Sequence, residues 1–213
     1  MKKVIAIDGF GGSGKSKLVD NLIKSDFFKE AVGVFNSGNY ARAIAHEMIK
    51  SNLTVNDPNF KMAAIKARDK IDFTKERAEF YTSEVENTIP DIVAIPEIKN
   101  GFSEKLPDII ESFGEDIIIV IGRVIGSLYP QAVVKLYLET SPDICAHRRA
   151  YERSLKGEDY AAVLENQKKR NQADKSNWEA SNPRPEDTII VNTDFSTEKD
   201  VLWKTLHHLN KIF

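Results

Sequence analysis

The stretch Val4-Ile5-Ala6-Ile7-Asp8-Gly9-Phe10-Gly11-Gly12-Ser13-Gly14-Lys15-Ser16 decides the fold. Its first four residues are apolar and mostly β-branched, which reads as a strand buried in a parallel sheet. Beyond it Leu18, Val19, Leu22 and Ile23 recur at helical spacing, so the glycine-rich run joins a strand to a helix. That is the setting in which G-x-x-x-x-G-K-[ST] wraps the phosphates of a nucleoside triphosphate. Glycines let backbone N–H groups turn inward as an anion-binding nest, and the following helix adds the positive end of its dipole. Gly11, Gly12, Ser13 and Gly14 are the expected cradle, Lys15 the bridge between the β- and γ-phosphates of ATP, and Ser16 the hydroxyl for Mg²⁺.

Two rival readings account for less. Gly9, Gly11 and Gly14 also satisfy G-x-G-x-x-G, the dinucleotide fingerprint, which requires an acid closing the second strand about 20 residues on. That strand ends Val34-Phe35-Asn36 without one, and the dinucleotide motif gives no reason for Lys15-Ser16. A glycine-rich turn with no ligand would not need the strand before it and the lysine after it.

The chain has 213 residues and a net charge of -2, enough for one mid-sized domain and no electrostatic case for nucleic acid or membrane binding. A single cysteine, Cys145, has no internal disulfide partner and reads as a buried structural thiol in a reducing compartment. With no leader expected ahead of the first strand and no apolar run of membrane-spanning length, the expectation is a soluble cytoplasmic protein. His46, His147, His207 and His208 do not fall at metal-ligand spacing.

Four further strands are expected at Val32–Phe35, Asp116–Ile121, Val133–Leu138 and Thr188–Val191, separated by helical patterns. Ser141-Pro142-Asp143 has the signature of a helix start and Gly157 is placed after its end. The last helix, from about Ser196, should bury Val201, Leu202, Leu206, Leu209 and Ile212. Between Tyr40 and Glu115 the patterns are mostly helical. Asp57-Pro58 opens one helix with Phe60, Ala64, Ala67 and Ile71 on its apolar face, and Ser83-x-x-Glu86 reads as a capping box for another that Pro90 should stop or kink.

Several residues carry a resemblance across nearly the whole length. Ile5-Ala6-Ile7-Asp8-Gly9 enters the phosphate loop, Ser37-Gly38 is followed by Arg42, and Gly122-Arg123 closes the third strand. Val134-Lys135-Leu136-Tyr137-Leu138, Ala146-His147-Arg148-Arg149, and Arg170 with Asp174 follow in order. In these the chain resembles the cytidylate kinases, a group of nucleoside monophosphate kinases. The resemblance implies an α/β P-loop kinase, a three-layer sandwich around a five-stranded parallel sheet. It also implies a single domain: core 1–39 and 116–213, helical acceptor-binding insertion about 40–115, and short lid about 155–160. It implies transfer of the γ-phosphoryl of ATP, with Mg²⁺, to CMP or dCMP by a monomer that takes small-molecule nucleotides.

Carried over residue by residue, Lys15, Arg42 and Arg123 are the implied catalytic residues. The two arginines grip the acceptor phosphate, where guanidinium groups bind oxygens bidentately and keep their charge. Ser37, Arg170 and Asp174 join the acceptor site, while Arg148 and Arg149 lead into the lid over the donor nucleotide. The base pocket departs from the pattern. Serine, arginine and aspartate positions hold Pro90, Lys99 and Val124, leaving Lys99 as the implied polar contact to the acceptor. Asn36 replaces an aspartate, Ala173 and Asn177 replace arginines, and Asp8 is the remaining carboxylate that could stand near Mg²⁺. A site that hydrogen-bonds its substrate rejects analogues by about 10⁴ or more, so these changes weaken the expected choice of cytosine. The alternatives are a kinase for another small phosphorylated metabolite and a nucleotide-binding protein without transfer. A GTPase switch would need an Asn/Thr-Lys-x-Asp run, which the sequence lacks.

Overall fold

The computed structural model describes residues 2–72, 77–174 and 181–213, with side chains 173 and 174 outside the described set. Among the described residues the strands are β1 (Lys3–Asp8), β2 (Val32–Asn36), β3 (Ile117–Ile121), β4 (Val134–Glu139) and β5 (Ile189–Asn192). The helices are α1 (Lys15–Lys24), α2 (Gly38–Lys50), α3 (Phe60–Arg68), α4 (Ser83–Val93), α5 (Pro96–Glu111), α6 (Ile125–Leu128), α7 (Pro142–Ser154), α8 (Tyr160–Asp174) and α9 (Glu198–Leu209). A 3₁₀ turn covers Ala78–Tyr81. None of these helices is long and apolar enough to cross a membrane.

The strands form one sheet in the order β2-β3-β1-β4-β5. β1 pairs in parallel with β3, Ile5 opposite Ile119, and with β4, Ile7 opposite Leu136; β4 pairs in parallel with β5. β1 and β3 are buried on both faces, as their apolar runs require, and β4 is buried as well although Lys135 interrupts its run. Ile5, Ile7, Ile119, Leu136 and Leu138 pack with Leu18 and Leu22 of α1 and with Val201 and Leu209 of α9. Each such side chain contributes roughly 1.5–3 kcal/mol when fully buried.

The chain divides into two compact units. One comprises Met1–Val34 and Phe113–Phe213, the other Phe35–Ser112, and the chain passes between them inside β2. In the second unit Phe60, Ala64 and Ala67 are the buried face of α3, while Val85, Ile89 and Ile92 are that of α4.

Several local expectations need correction. Ile71 lies beyond α3 and is only half-buried, and Ile212 lies beyond α9, exposed. The cap of α4 is Thr82, whose hydroxyl accepts from the Val85 N–H (3.2 Å), so Ser83 is the first helical residue. Pro90 neither stops nor ends α4, which continues to Val93. An interior proline costs about 3 kcal/mol, and burial of Val85, Ile89 and Ile92 offsets it. Ser141 does precede α7, yet its side chain makes no capping bond to that helix; its hydroxyl donates to Asp194 at 2.5 Å.

Candidate active site

The phosphate loop leaves β1 and enters α1 through Gly14, a left-handed N-cap with φ +95°. The first turn of α1 carries no acidic side chain and no side-chain cap, so no neighbour in sequence offsets the positive end of its dipole. Ser16 is exposed on that turn. Gly12 has φ +92°, and a Cβ there would collide with the carbonyl oxygen of Cys145 in α7. The Lys15 ammonium folds back over the loop, donating to the carbonyls of Gly9 and Phe10 (2.7 Å each) and reaching the Ser13 hydroxyl at 3.4 Å. Ser13 is buried, and its N–H closes a turn onto the Phe10 carbonyl. The loop is thus held in shape by its own lysine and by the chain behind it.

Arg123 follows β3, where the Gly122 N–H bonds the Ile7 carbonyl at 2.9 Å. Its Nη2 would lie 3.4 Å from a Cβ built on Gly11, which sets a guanidinium against the phosphate loop. Val124, where the family pattern has an aspartate, is buried and caps α6. Asp8 is buried too. Its two oxygens accept from the N–H groups of Ile125 and Gly126, each at 2.8 Å, so this carboxylate secures the start of α6.

A second set of bonds anchors the loop after β5. The Thr193 hydroxyl shares a hydrogen bond with that of Thr140 (2.6 Å), accepts from Arg148 (3.3 Å) and reaches the Ser13 carbonyl at 3.4 Å. Arg148 Nη2 donates to the carbonyls of Thr193 (2.7 Å) and Asp194 (3.1 Å). Hydrogen bonds from the Ser141 hydroxyl and N–H hold the Asp194 carboxyl below its ordinary range. Burial pushes the Cys145 thiol up, as an inert structural cysteine requires. Arg149 donates to Glu152 at 3.0 Å. At the expected lid, Arg153 is buried against Glu158, and Tyr160 meets His147 at 2.6 Å.

In the other unit Arg42 is buried on α2. Its Nε and Nη2 both donate to Glu86 Oε1, at 3.0 and 2.9 Å, and its guanidinium lies 4.9 Å from the Tyr81 ring centre. Tyr81 in turn donates to the buried Asn39 at 2.9 Å. Asn36 accepts from the Gly38 N–H (3.0 Å) beside Ser37, the residue preceding α2. Lys99 is half-buried in the first turn of α5, and Pro90 lies within α4. Arg170 is half-buried on α8; the side chains of Ala173 and Asp174, and Asn177 entirely, lie outside the described residues.

Sequence reasoning missed Glu86, Tyr81, Thr193 and Gln167. Glu86 was expected in a capping box, and its real partner stands 44 residues away, where no local pattern points. Gln167 resembles any polar residue of a solvated helix until its burial is seen.

The described residues contain no group of three or more His, Cys, Asp or Glu fit to hold a metal. Mg²⁺ bound mainly through nucleotide phosphates needs no such cluster, and the exposed Ser16 hydroxyl on the anion-facing turn suits that mode.

The family model described as "Cytidylate kinase" matches residues 5–211. A cytidylate kinase of Streptomyces avermitilis is 30% identical, over 93% of this chain and 89% of the relative. One from Caldanaerobacter subterraneus is 28% identical over 97% and 94%. Among solved structures, a shikimate kinase from Bacteroides thetaiotaomicron aligns over 98% of both chains at 13% identity with a TM-score of 0.48. The family-model match over residues 5–211, on a chain that builds the phosphate loop with an arginine set against it, places the protein in the cytidylate kinase family.

Proposed function

We propose that this chain transfers the γ-phosphoryl group of ATP to a nucleoside monophosphate, with CMP or dCMP the preferred acceptor. The observation that carries the reading is Arg123 against Gly11 in a loop whose lysine and helix terminus are arranged for polyphosphate. An acceptor phosphate is already anionic and needs no general base, so the work left to the protein is positioning and charge neutralisation. The N–H groups of Gly11, Gly12, Gly14, Lys15 and Ser16 bind the phosphate oxygens, joined by that of Ser13 once it leaves the Phe10 carbonyl. Lys15 exchanges its present carbonyl bonds for the β- and γ-phosphates, and Arg123 balances charge that develops on the transferred oxygens. Arg42, oriented by Glu86 and Tyr81, binds acceptor phosphate, with Ser37, Lys99, Arg170 and Asp174 completing acceptor binding. Arg148 and Arg149 act on the donor side. Ser16 would hold Mg²⁺, which supplies charge neutralisation between the phosphates when bound.

Replacement of the cytosine-reading positions by Pro90, Lys99 and Val124 predicts broader acceptor choice than a dedicated cytosine pocket allows. ADP release measured across the common nucleoside monophosphates tests this. Turnover with CMP or dCMP, exceeding the purines by less than about 10⁴, is expected. Absence of turnover with every pyrimidine removes the acceptor assignment.

A further inference from the structure

Gln167 belongs to α8 and is 7% exposed, a long polar side chain taken almost wholly out of water. Its amide lies against the phosphate loop, Nε2 falling 3.0 Å from the position of a Cβ on Gly11. That position is the one Arg123 Nη2 approaches at 3.4 Å. Two side chains from different elements therefore converge on one glycine of the cradle.

Which end of the amide faces the loop follows from a backbone group. The Pro142 carbonyl can only accept, so the Asn171 amide turns its nitrogen to it at 3.1 Å. Asn171, 2% exposed, then presents Oδ1 to Gln167, which must answer with Nε2 at 2.7 Å. A carbonyl at the start of α7 thus fixes Asn171, Asn171 fixes Gln167, and the atom set beside Gly11 is a donor. An amide nitrogen carries two hydrogens, and Asn171 takes one. Placing a buried donor in a loop shaped for anions, beside a guanidinium, matches the requirements of charge stabilisation by fixed dipoles.

We infer that Gln167 is a ligand of the γ-phosphoryl group, its second N–H directed at a γ-phosphate oxygen next to Arg123. The inference rests on the proposed nucleotide site and adds to it a neutral donor whose orientation is set before substrate arrives. Being uncharged, it distinguishes a terminal phosphoryl oxygen by direction rather than by net charge.

Calorimetric titration of the parent, Gln167→Glu and Gln167→Leu with Mg·ADP and with a non-hydrolysable Mg·ATP analogue tests it, melting temperatures confirming that each protein is folded. Gln167→Glu keeps size and shape and exchanges the donor for an anion. Its affinity for the triphosphate should fall about tenfold or more while Mg·ADP binding changes less than about twofold. The loss should shrink as pH is lowered from 8 to 6 and the carboxyl, raised by burial and by phosphate, takes up a proton. Gln167→Leu should lose triphosphate preference without acquiring that pH dependence. A residue that merely packs α8 against the loop would leave the triphosphate-to-diphosphate ratio of Gln167→Glu at the parent value, and that result overturns the inference while leaving the nucleotide site standing. A parent that binds neither nucleotide overturns both.

Discussion

Gly12 and Gly14 share a positive φ for different reasons. At Gly12 the backbone of Cys145 occupies the place a Cβ would take, whereas nothing lies within 4 Å of a Cβ at Gly14. Gly14→Ala should therefore cost only the left-handed conformation, about 1–2 kcal/mol. Gly12→Ala adds overpacking of about 1–3 kcal/mol against backbone that has no rotamer to move. Urea denaturation of the two variants should place Gly12→Ala clearly below Gly14→Ala, and equal midpoints would mean that α7 yields more than its packing indicates. Legibility at this scale was uneven. Lys15 and the cradle glycines could be picked out because a contiguous motif carries them, whereas Arg123 was singled out through the family resemblance. Glu86 could not, because what makes it matter is the approach of Arg42 from another helix.

At the scale of elements, boundaries follow local chemistry wherever a cap is local. Thr197 caps α9 in a full box: its hydroxyl accepts from the Asp200 N–H at 3.2 Å, and the Asp200 carboxylate accepts from the Thr197 N–H at 2.9 Å. Removing the hydroxyl in Thr197→Ala should cost about 1 kcal/mol, read as a lower midpoint in denaturant with unchanged slope. A slope change would show instead that α9 frays as a separate unit. The strands were legible to within a residue or so at each end, since apolar β-branched runs in a doubly covered sheet have few alternatives. As a stop signal Pro90 misled for a physical reason. Proline reports the cost of a missing N–H and a steric clash, while the survival of α4 depends on apolar burial that only packing reveals.

For the molecule as a whole, titration follows from carboxyls held low. Hydrogen bonds from Arg68 and then Lys105 hold Asp69 at about 2, and those from Lys135, Ser141 and Thr197 lower Asp187, Asp194 and Asp200. A carboxyl lowered by folding contributes stability above its unfolded value, near 3.9, and loses it as pH falls through the folded one. Burial raises the Cys145 thiol and the Tyr40 phenol, so their contributions are present at neutral pH and vanish as alkali ionises them. The melting temperature should hold level from about pH 5 to 8, fall below about pH 4 and fall again above about pH 9. A maximum below pH 4 would contradict the acid arm. What the amino-acid order determined unaided was the strand–loop–helix that opens the chain, the succession of elements and the residues of the phosphate loop, because each depends on neighbours in sequence. Tertiary structure decided what Arg42 pairs with, that Asp8 secures α6, and which atom of Gln167 meets the loop. Those depend on groups distant along the chain, whose meeting is settled by packing and by the need of every buried polar group for a partner.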